Sequence, residues 1–140
     1  MILRPDWKGV REDKYLKMNK WLKDVNNDVD DSRNMSRSER MATLNTYMAS
    51  VGSDDQVVQP KESAWHTFWD WGDPFGDVID PRETESYLGD YLGLKTLDEQ
   101  GKLILNMYEG DHTAYNASWW HEVVKPLFNN SQGHTTTPNN

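Results

Sequence analysis

The chain has 140 residues, which is about one domain or part of a larger one. Its formal net charge of −8 argues against a nucleic-acid partner, because proteins that bind nucleic acid carry clustered Lys and Arg. The absence of cysteine excludes disulfides, thiol chemistry and zinc sites with Cys ligands.

Residues 1–45 are predicted to form a segment of helices and loops. Four apolar residues recur there at helical spacing: Tyr15, Met18, Leu22 and Val25. This pattern predicts one face of a helix, which ends at the polar residues 26–28. After a polar loop, Ser36 or Ser38 can cap a second, short helix that runs through residues 40–44.

Residues 46–128 alternate between strands and helices. The predicted elements are, in order, a strand at 47–51, helices at 83–92 and 95–100, a strand at 102–107, and a final helix capped by Ser118. This alternation is typical of the end of an α/β sheet, in which parallel strands are flanked by helices. Residues 129–140 are predicted to be a disordered tail.

Each predicted strand is followed by a loop that holds a titratable residue. Asp55 comes just after the first strand and Gly52, and His112 comes just after the second strand. A carboxylate followed by a histidine is the order in which an α/β-hydrolase supplies the last two members of its triad. In such a triad the histidine is the general base for a serine, and the carboxylate orients the imidazole. The sequence therefore predicts Asp55 and His112 as catalytic residues.

The serine of such a triad is missing from this pattern. No Gly-x-Ser-x-Gly motif occurs in the 140 residues, and Ser53 does not lie on a strand-to-helix turn. Metal chemistry is not indicated, because neither His-x-x-x-His nor His-Glu-x-x-His is present. We therefore expect no metal and no cofactor, and we expect the chain on its own to be inactive.

Aromatic residues cluster between the two predicted strands: Trp65, Phe68, Trp69, Trp71 and Phe75. Gly and Pro residues interrupt the cluster, so one long regular element is not expected. Two interpretations remain open. The cluster either packs under a long loop or forms the wall of an apolar substrate groove, with Trp65, Phe68 and Trp69 as the candidates for the groove.

Three Asn-x-Ser/Thr sequons are candidate glycosylation sites: Asn34, Asn116 and Asn129. They favour a secretory or lysosomal route. No stretch approaches the ~20 consecutive apolar residues of a membrane span. Residues 1–6 lack the apolar region of a signal peptide.

Several stretches of the chain resemble palmitoyl-protein thioesterases. Residues 51–63 are similar to the acid loop of that family, and residues 92–103, which begin Leu-Gly-Leu-Lys, are similar to the segment before its last strand. The sequence Glu-Gly-Asp-His at 109–112 resembles the histidine loop, and residues 119–128 resemble the closing helix. The resemblance extends over residues 5–128.

The resemblance implies an α/β-hydrolase fold and the hydrolysis of thioesters that join long-chain fatty acyl groups to protein cysteines, usually in the lysosome. It implies that Asp55 is the triad acid and His112 the triad base, with the neighbouring Asp54 as the alternative acid. The first strands, the oxyanion hole and the serine elbow of the family have no counterpart here. The chain is therefore interpreted as the C-terminal part of such a fold, incomplete without the N-terminal half.

This interpretation leaves three hypotheses for the function. The chain is a fragment of an enzyme that acts on S-acylated protein or another acyl thioester, or it is a non-catalytic module that binds acyl chains or a partner protein. In the third hypothesis it is half of a split enzyme, whose serine comes from a separate N-terminal chain.

Overall fold

The structure, a computed structural model, describes three stretches of the chain: residues 12–28, 33–70 and 76–129. Its centre is a pair of parallel strands, β1 (Tyr47–Gly52) and β2 (Leu103–Tyr108), which confirms both predicted strands to within one residue at each end. The register is in phase, so Gly52 at the end of β1 pairs with Tyr108 at the end of β2. The loops that follow the two strands therefore begin side by side.

Three helices precede the sheet: α1 (Glu12–Met18), α2 (Lys20–Val25) and α3 (Met35–Ala42). The prediction of one helix with a continuous apolar face was wrong, because Asn19 interrupts it and caps α2 by accepting a hydrogen bond from the amide of Leu22. Tyr15 is 1% exposed, whereas Met18 is 59% exposed. The four spaced apolar residues therefore do not share one buried face.

The cap of α3 also differs from the prediction. The Asn34 side chain accepts a hydrogen bond from the amide of Ser36 at 3.1 Å, so Asn34 is the N-cap rather than Ser36 or Ser38. Ser38 lies inside the helix and is buried, with its hydroxyl bonded to the carbonyl of Met35. Either serine could serve as a cap by residue type, but the Asn precedes both of them.

The chain between the strands contains only short elements. They are 3₁₀ turns at Lys61–Trp65 and Pro81–Glu83, followed by α4 (Glu85–Leu88) and α5 (Leu94–Glu99). The predicted helix over 83–92 was too long, because Thr84 caps α4 and the backbone turns left-handed at Asp90, with φ 52°. The two strands and their flanking helices form a partial α/β fold.

The sheet has two faces because side chains alternate along each strand. One face, called here the Val51 face, carries Ala49, Val51, Leu103 and Leu105; the other, called the Met48 face, carries Met48, Ser50, Asn106 and Tyr108. The turn Lys61–Trp65 packs on β1, and Trp65 lines a small cavity together with Leu103 and Leu105 of the Val51 face. The fully buried Leu97 of α5 adds to this core.

The C-terminal helix covers part of the Met48 face. It consists of α6 (Ala117–Trp119), a π-helical turn (Trp120–Val124) and α7 (Lys125–Asn129). Asn116 caps it by accepting a hydrogen bond from the amide of Trp119 at 2.9 Å, so the predicted cap, Ser118, was wrong. The π-helical turn precedes Pro126. Proline has no amide hydrogen to donate, and its ring would clash with the carbonyl four residues earlier in a regular α-helix.

The predicted division into segments 1–45 and 46–128 remains a prediction. The predicted disordered tail begins at Asn129, the last residue of α7, and its residues 130–140 lie outside the described part of the chain. Within the described stretches, no helix is both long enough and apolar enough to cross a membrane.

Candidate active site

Asp55 occupies a buried position in the loop after β1, where its side chain is 5% exposed. One carboxylate oxygen, Oδ1, accepts hydrogen bonds from the amides of Val57 at 2.8 Å and Val58 at 3.1 Å. A carboxylate that bonds amides two and three residues further along the chain holds its own loop in a tight turn. These bonds fix the direction of the second oxygen, Oδ2.

His112 meets this second oxygen from the neighbouring loop. Its Nδ1 atom lies 2.8 Å from Oδ2 of Asp55. Because an ionised carboxylate can only accept hydrogen bonds, Nδ1 carries the proton and donates. The ring is 41% exposed, and Nε2 makes no hydrogen bond with the part of the chain that the structure describes. The imidazole thus presents Nε2, an acceptor when the ring is neutral, to the surface.

The Asp55 carboxyl group is held in its ionised form. Burial alone raises the pKa of this carboxyl, but the hydrogen bonds from His112, Val58 and Val57 lower it by more, so its pKa lies below the usual value. Asp54, the alternative acid, has an exposed side chain that makes no hydrogen bond within the described residues. The geometry pairs Asp55, and not Asp54, with His112.

Backbone hydrogen bonds join the two loops beyond the ends of the strands. The Ser53 amide donates to the carbonyl of Tyr108, and the Asp54 amide donates to the carbonyl of Gly110, both at 2.9 Å. The amide of Gly110 in turn donates to the Ser53 hydroxyl at 3.0 Å. These three bonds continue the strand pairing into the loops and fix the spacing between the acid and the histidine.

A glycine at the end of β1 allows this close approach. A Cβ atom on Gly52 would lie 2.6 Å from the carbonyl oxygen of Gly110 and 2.7 Å from that of Asp111. Both oxygens belong to backbone, which cannot move aside as a flexible side chain can. The histidine loop therefore folds back over Gly52, on the Met48 face of the sheet.

An open groove of about 630 Å³ lies beside His112 on the Met48 face. Its lining is mostly apolar: Met48, Tyr108, Tyr115, Trp119, Trp120, Val124, Leu127 and Phe128, with Asn45, Thr46 and Ser50. The groove has a size common among sites for small ligands, which range over roughly 300–1,000 Å³. The aromatic residues that line the groove with His112 are thus mostly those of the C-terminal helix. The sequence predicted the helix but did not indicate that it lines a groove beside His112.

The aromatic candidates from the sequence lie elsewhere. Trp65 packs on the Val51 face, and its indole N–H donates to the carbonyls of Ala49 and Asn106 at 3.2 Å. Trp69 is 6% exposed and lies below the acid loop, near Asp55. Neither these two nor Phe68 lines the groove that contains His112. The other two members of the cluster, residues 71 and 75, are outside the described stretches.

The glycosylation candidates lie at helix ends. Asn34 and Asn116 are exposed, and each uses its side-chain oxygen as the cap of a helix. Asn129 is the last residue of α7. Among the described residues, no group of three or more His, Cys, Asp or Glu side chains is arranged to hold a metal ion.

The fold and this site define an α/β protein in which a carboxylate–histidine pair lies at the carboxyl ends of adjacent parallel strands, where α/β proteins place their functional residues. The family model described as palmitoyl protein thioesterase matches residues 6–112, a range that includes both Asp55 and His112. The chain belongs to this family.

Similar proteins carry names that agree with the family. The chain is 32% identical over 126 residues to palmitoyl-protein thioesterase 3 of Dictyostelium discoideum, covering 89% of this chain and 42% of that protein. It is 30% identical to palmitoyl-protein thioesterase 1 of Caenorhabditis elegans, covering 83% and 38%, and 30% identical to the lysosomal thioesterase PPT2 homolog of Drosophila melanogaster, covering 83% and 40%. The chain spans about two-fifths of the length of these relatives.

Proposed function

We propose that Asp55 and His112 are the acid and the base of a Ser-His-Asp triad in a thioesterase that removes long-chain fatty acyl groups from S-acylated cysteines. The 2.8 Å hydrogen bond between Nδ1 of His112 and Oδ2 of Asp55 carries this proposal, since it joins loops of adjacent parallel strands within the family match. The remaining member, the serine, would come from polypeptide outside these 140 residues, which contain no Gly-x-Ser-x-Gly motif.

In the proposed reaction, Nε2 of His112 accepts the serine proton as the serine oxygen attacks the thioester carbonyl. The imidazolium then gives this proton to the departing cysteine sulfur. Water attacks the acyl-serine with the help of the same Nε2, and the fatty acid leaves. Throughout, the Asp55 carboxylate accepts the Nδ1 proton, so that the imidazole keeps the tautomer with a free Nε2 and its cationic form is stabilised.

The groove on the Met48 face is the proposed site for the acyl chain. It is apolar, it is open to solvent, and His112 forms part of its wall. Trp65, Phe68 and Trp69 are not assigned to the acyl chain, because none of them lines the groove that contains His112. We therefore assign the acyl chain to a site against the C-terminal helix, chiefly against Trp119 and Trp120.

We propose a lysosomal or secreted location for the protein. Two of the relatives, from Drosophila melanogaster and Xenopus laevis, are named lysosomal thioesterases. The exposed sequons at Asn34 and Asn116 are compatible with passage through the secretory route.

A chimaera tests the catalytic roles. Residues 12–128 replace the matching segment of the Dictyostelium thioesterase, and a fluorogenic palmitoyl thioester is the substrate. We expect turnover that Asp55→Asn lowers by about 10⁴ in kcat, as loss of the correct histidine tautomer does in such triads. His112→Ala should be at least as damaging.

Asp54→Asn is the matched control, because it removes a carboxylate one residue away without touching His112. It should leave kcat within about a factor of two of the parent chimaera, since an exposed charge outside the triad contributes little to the transition state. Loss of activity in Asp54→Asn together with near-normal turnover in Asp55→Asn would transfer the acid role to Asp54.

A second candidate function is a non-catalytic module that binds acyl chains. The observation that favours it is the exposure of large apolar groove residues, with Trp120 at 47% and Phe128 at 66%. The 140-residue chain should then bind a fluorescent fatty acid with an affinity that Trp120→Ala weakens and Asp54→Asn, outside the groove, leaves unchanged. Binding that neither variant changes would exclude the groove as the site.

A further inference from the structure

Two peptide groups flank the imidazole of His112, and side chains hold both of them. The amide of His112 donates to Oδ1 of Asp111 at 2.7 Å. Its carbonyl oxygen accepts a hydrogen bond from the hydroxyl of Tyr108 at 2.5 Å. With both peptide planes fixed, only the two side-chain torsions of His112 remain free, and the bond to Asp55 sets these.

We propose that Tyr108 is a positioning residue, whose hydroxyl fixes the backbone of His112 so that the imidazole meets Asp55 on one side and the groove on the other. Tyr108 is the last residue of β2 and its side chain lies on the Met48 face, over which the histidine loop folds back. The hydroxyl therefore reaches the His112 carbonyl across the loop of 109–111 and closes it. This inference rests on the proposed role of His112 as the base.

The Tyr108 ring is itself held in place. It is 8% exposed and packs edge-on against Tyr115 at 5.9 Å and Trp119 at 5.6 Å between ring centroids. Trp119 is anchored in turn, because its indole N–H donates to the side-chain oxygen of Asn106 on β2 at 3.2 Å. The strand holds the backbone of Tyr108 and the ring contacts hold its side chain, so the hydroxyl is positioned more precisely than one on a loop residue.

The hydroxyl remains a donor over the working range of pH. Burial raises the pKa of Tyr108, and the negative charges of Asp55 and Asp111 raise it further. A neutral phenol has one proton to donate, and the carbonyl of His112 can only accept it. The direction of this hydrogen bond is therefore fixed.

The test measures the hydrogen exchange of the His112 Nδ1 proton by NMR in the ¹⁵N-histidine-labelled 140-residue chain. Tyr108→Phe keeps the ring packing and removes only the hydroxyl. We expect the Nδ1 proton to exchange about fivefold faster in this variant, the factor that the loss of one ordinary hydrogen bond gives. The midpoint of urea unfolding should stay close to that of the control variant, Tyr47→Phe.

The control is Tyr47→Phe, which removes a tyrosine hydroxyl at the other end of the sheet. The Tyr47 hydroxyl lies 2.7 Å from Nε2 of His66, so this variant should alter the His66 signals and leave His112 unchanged. A change at His112 of equal size in both variants would overturn the inference, because it would then report general loosening of the fold.

The outcomes separate this inference from the proposed function. If the His112 Nδ1 proton exchanges at the same rate in Asp55→Asn as in the wild-type chain, the pairing of Asp55 with His112 is wrong and both proposals fail. If Asp55→Asn accelerates exchange and Tyr108→Phe does not, only the role of Tyr108 is refuted.

A second variant covers the case in which Tyr108→Phe unfolds. With 3,5-difluorotyrosine at position 108, the phenol loses its proton at a lower pH than tyrosine while the ring remains. Exchange at His112 should then accelerate relative to the wild-type chain at the same pH, as the phenol ionises. Equal exchange rates in the two proteins across that ionisation would refute the role of Tyr108.

Discussion

Gly52→Ala tests whether the close contact between the two loops holds the site together. The new Cβ would lie 2.6 Å from the carbonyl oxygen of Gly110. Since C···O contacts in proteins are normally about 3.3–3.6 Å, the histidine loop must retreat by about 0.7 Å or more. Both obstructing atoms, the carbonyl oxygens of Gly110 and Asp111, belong to the backbone, so no change of side-chain rotamer relieves the overlap.

The expected loss of stability has two parts. Inserting a methyl group into a packed contact costs about 1–3 kcal/mol. Retreat of the loop also weakens the hydrogen bond from the Asp54 amide to Gly110, which is worth about 0.5–1.5 kcal/mol. We therefore expect the free energy of unfolding in urea to fall by about 1.5–4.5 kcal/mol. In the same variant, the His112 Nδ1 proton should exchange faster with water, because Asp55 and His112 move apart.

Gly101→Ala is the control for this prediction. Gly101 has φ 67°, and no atom lies within 4 Å of the Cβ position. Alanine there should cost about 1–2 kcal/mol through backbone strain alone. Because Gly101 precedes β2 at the far end from the site, exchange at His112 should not change. If Gly52→Ala is as stable as the wild-type chain and keeps the His112 signal, the close contact does not hold the site together.

Three further predictions concern the acid, the glycans and the groove. Asp55→Asn should lower the free energy of unfolding at pH 7 by about 1.5–3 kcal/mol, the worth of hydrogen bonds to a charged group. Because folding lowers the Asp55 pKa, its contribution is present above the unfolded-state pKa of about 3.9 and disappears as the pH falls through the folded-state value, so urea titrations of the two proteins should converge in acid. In a secreting host, mass spectrometry should find glycan on Asn34 and not on Asn116, which is four residues from His112; the opposite pattern would contradict the proposed orientation of the site. In the chimaera, Trp120→Ala should raise KM for a palmitoyl substrate several-fold more than Trp65→Ala does, since about 0.8 kcal/mol per buried CH₂ is at stake; equal effects would remove the groove from the proposal.

The strands and the two loops could be predicted from sequence because their signals are local. Each strand is a short apolar run, and Gly52 marks the end of the first one. Once both runs are assigned to parallel strands, the residues after them must share one edge of the sheet, so the proximity of Asp55 and His112 follows from topology. The choice between Asp54 and Asp55 did not follow, because neighbouring residues point in different directions and only the fold decides which is buried.

The groove could not be predicted, because its position depends on which face of the sheet each segment covers. Trp65 and Trp119 are both large apolar residues near a strand in sequence, and no local pattern says that one packs on the Val51 face and the other on the Met48 face. The predicted helix ends were wrong for a different reason. Several residues that can cap stand close together, such as Asn116 and Ser118, and backbone geometry selects among them.

The acid and the histidine are 57 residues apart in the chain, and this distance has a kinetic consequence. Closing a loop of that length costs on the order of 3–4 kcal/mol in chain entropy, with little gained until β1 and β2 pair. The helices and turns, whose contacts are local, can form earlier and independently. We therefore expect the Asp55–His112 bond to form only once β1 and β2 have paired, so that its Nδ1 proton would distinguish a chain with the paired strands from a collapsed one with the same helix content.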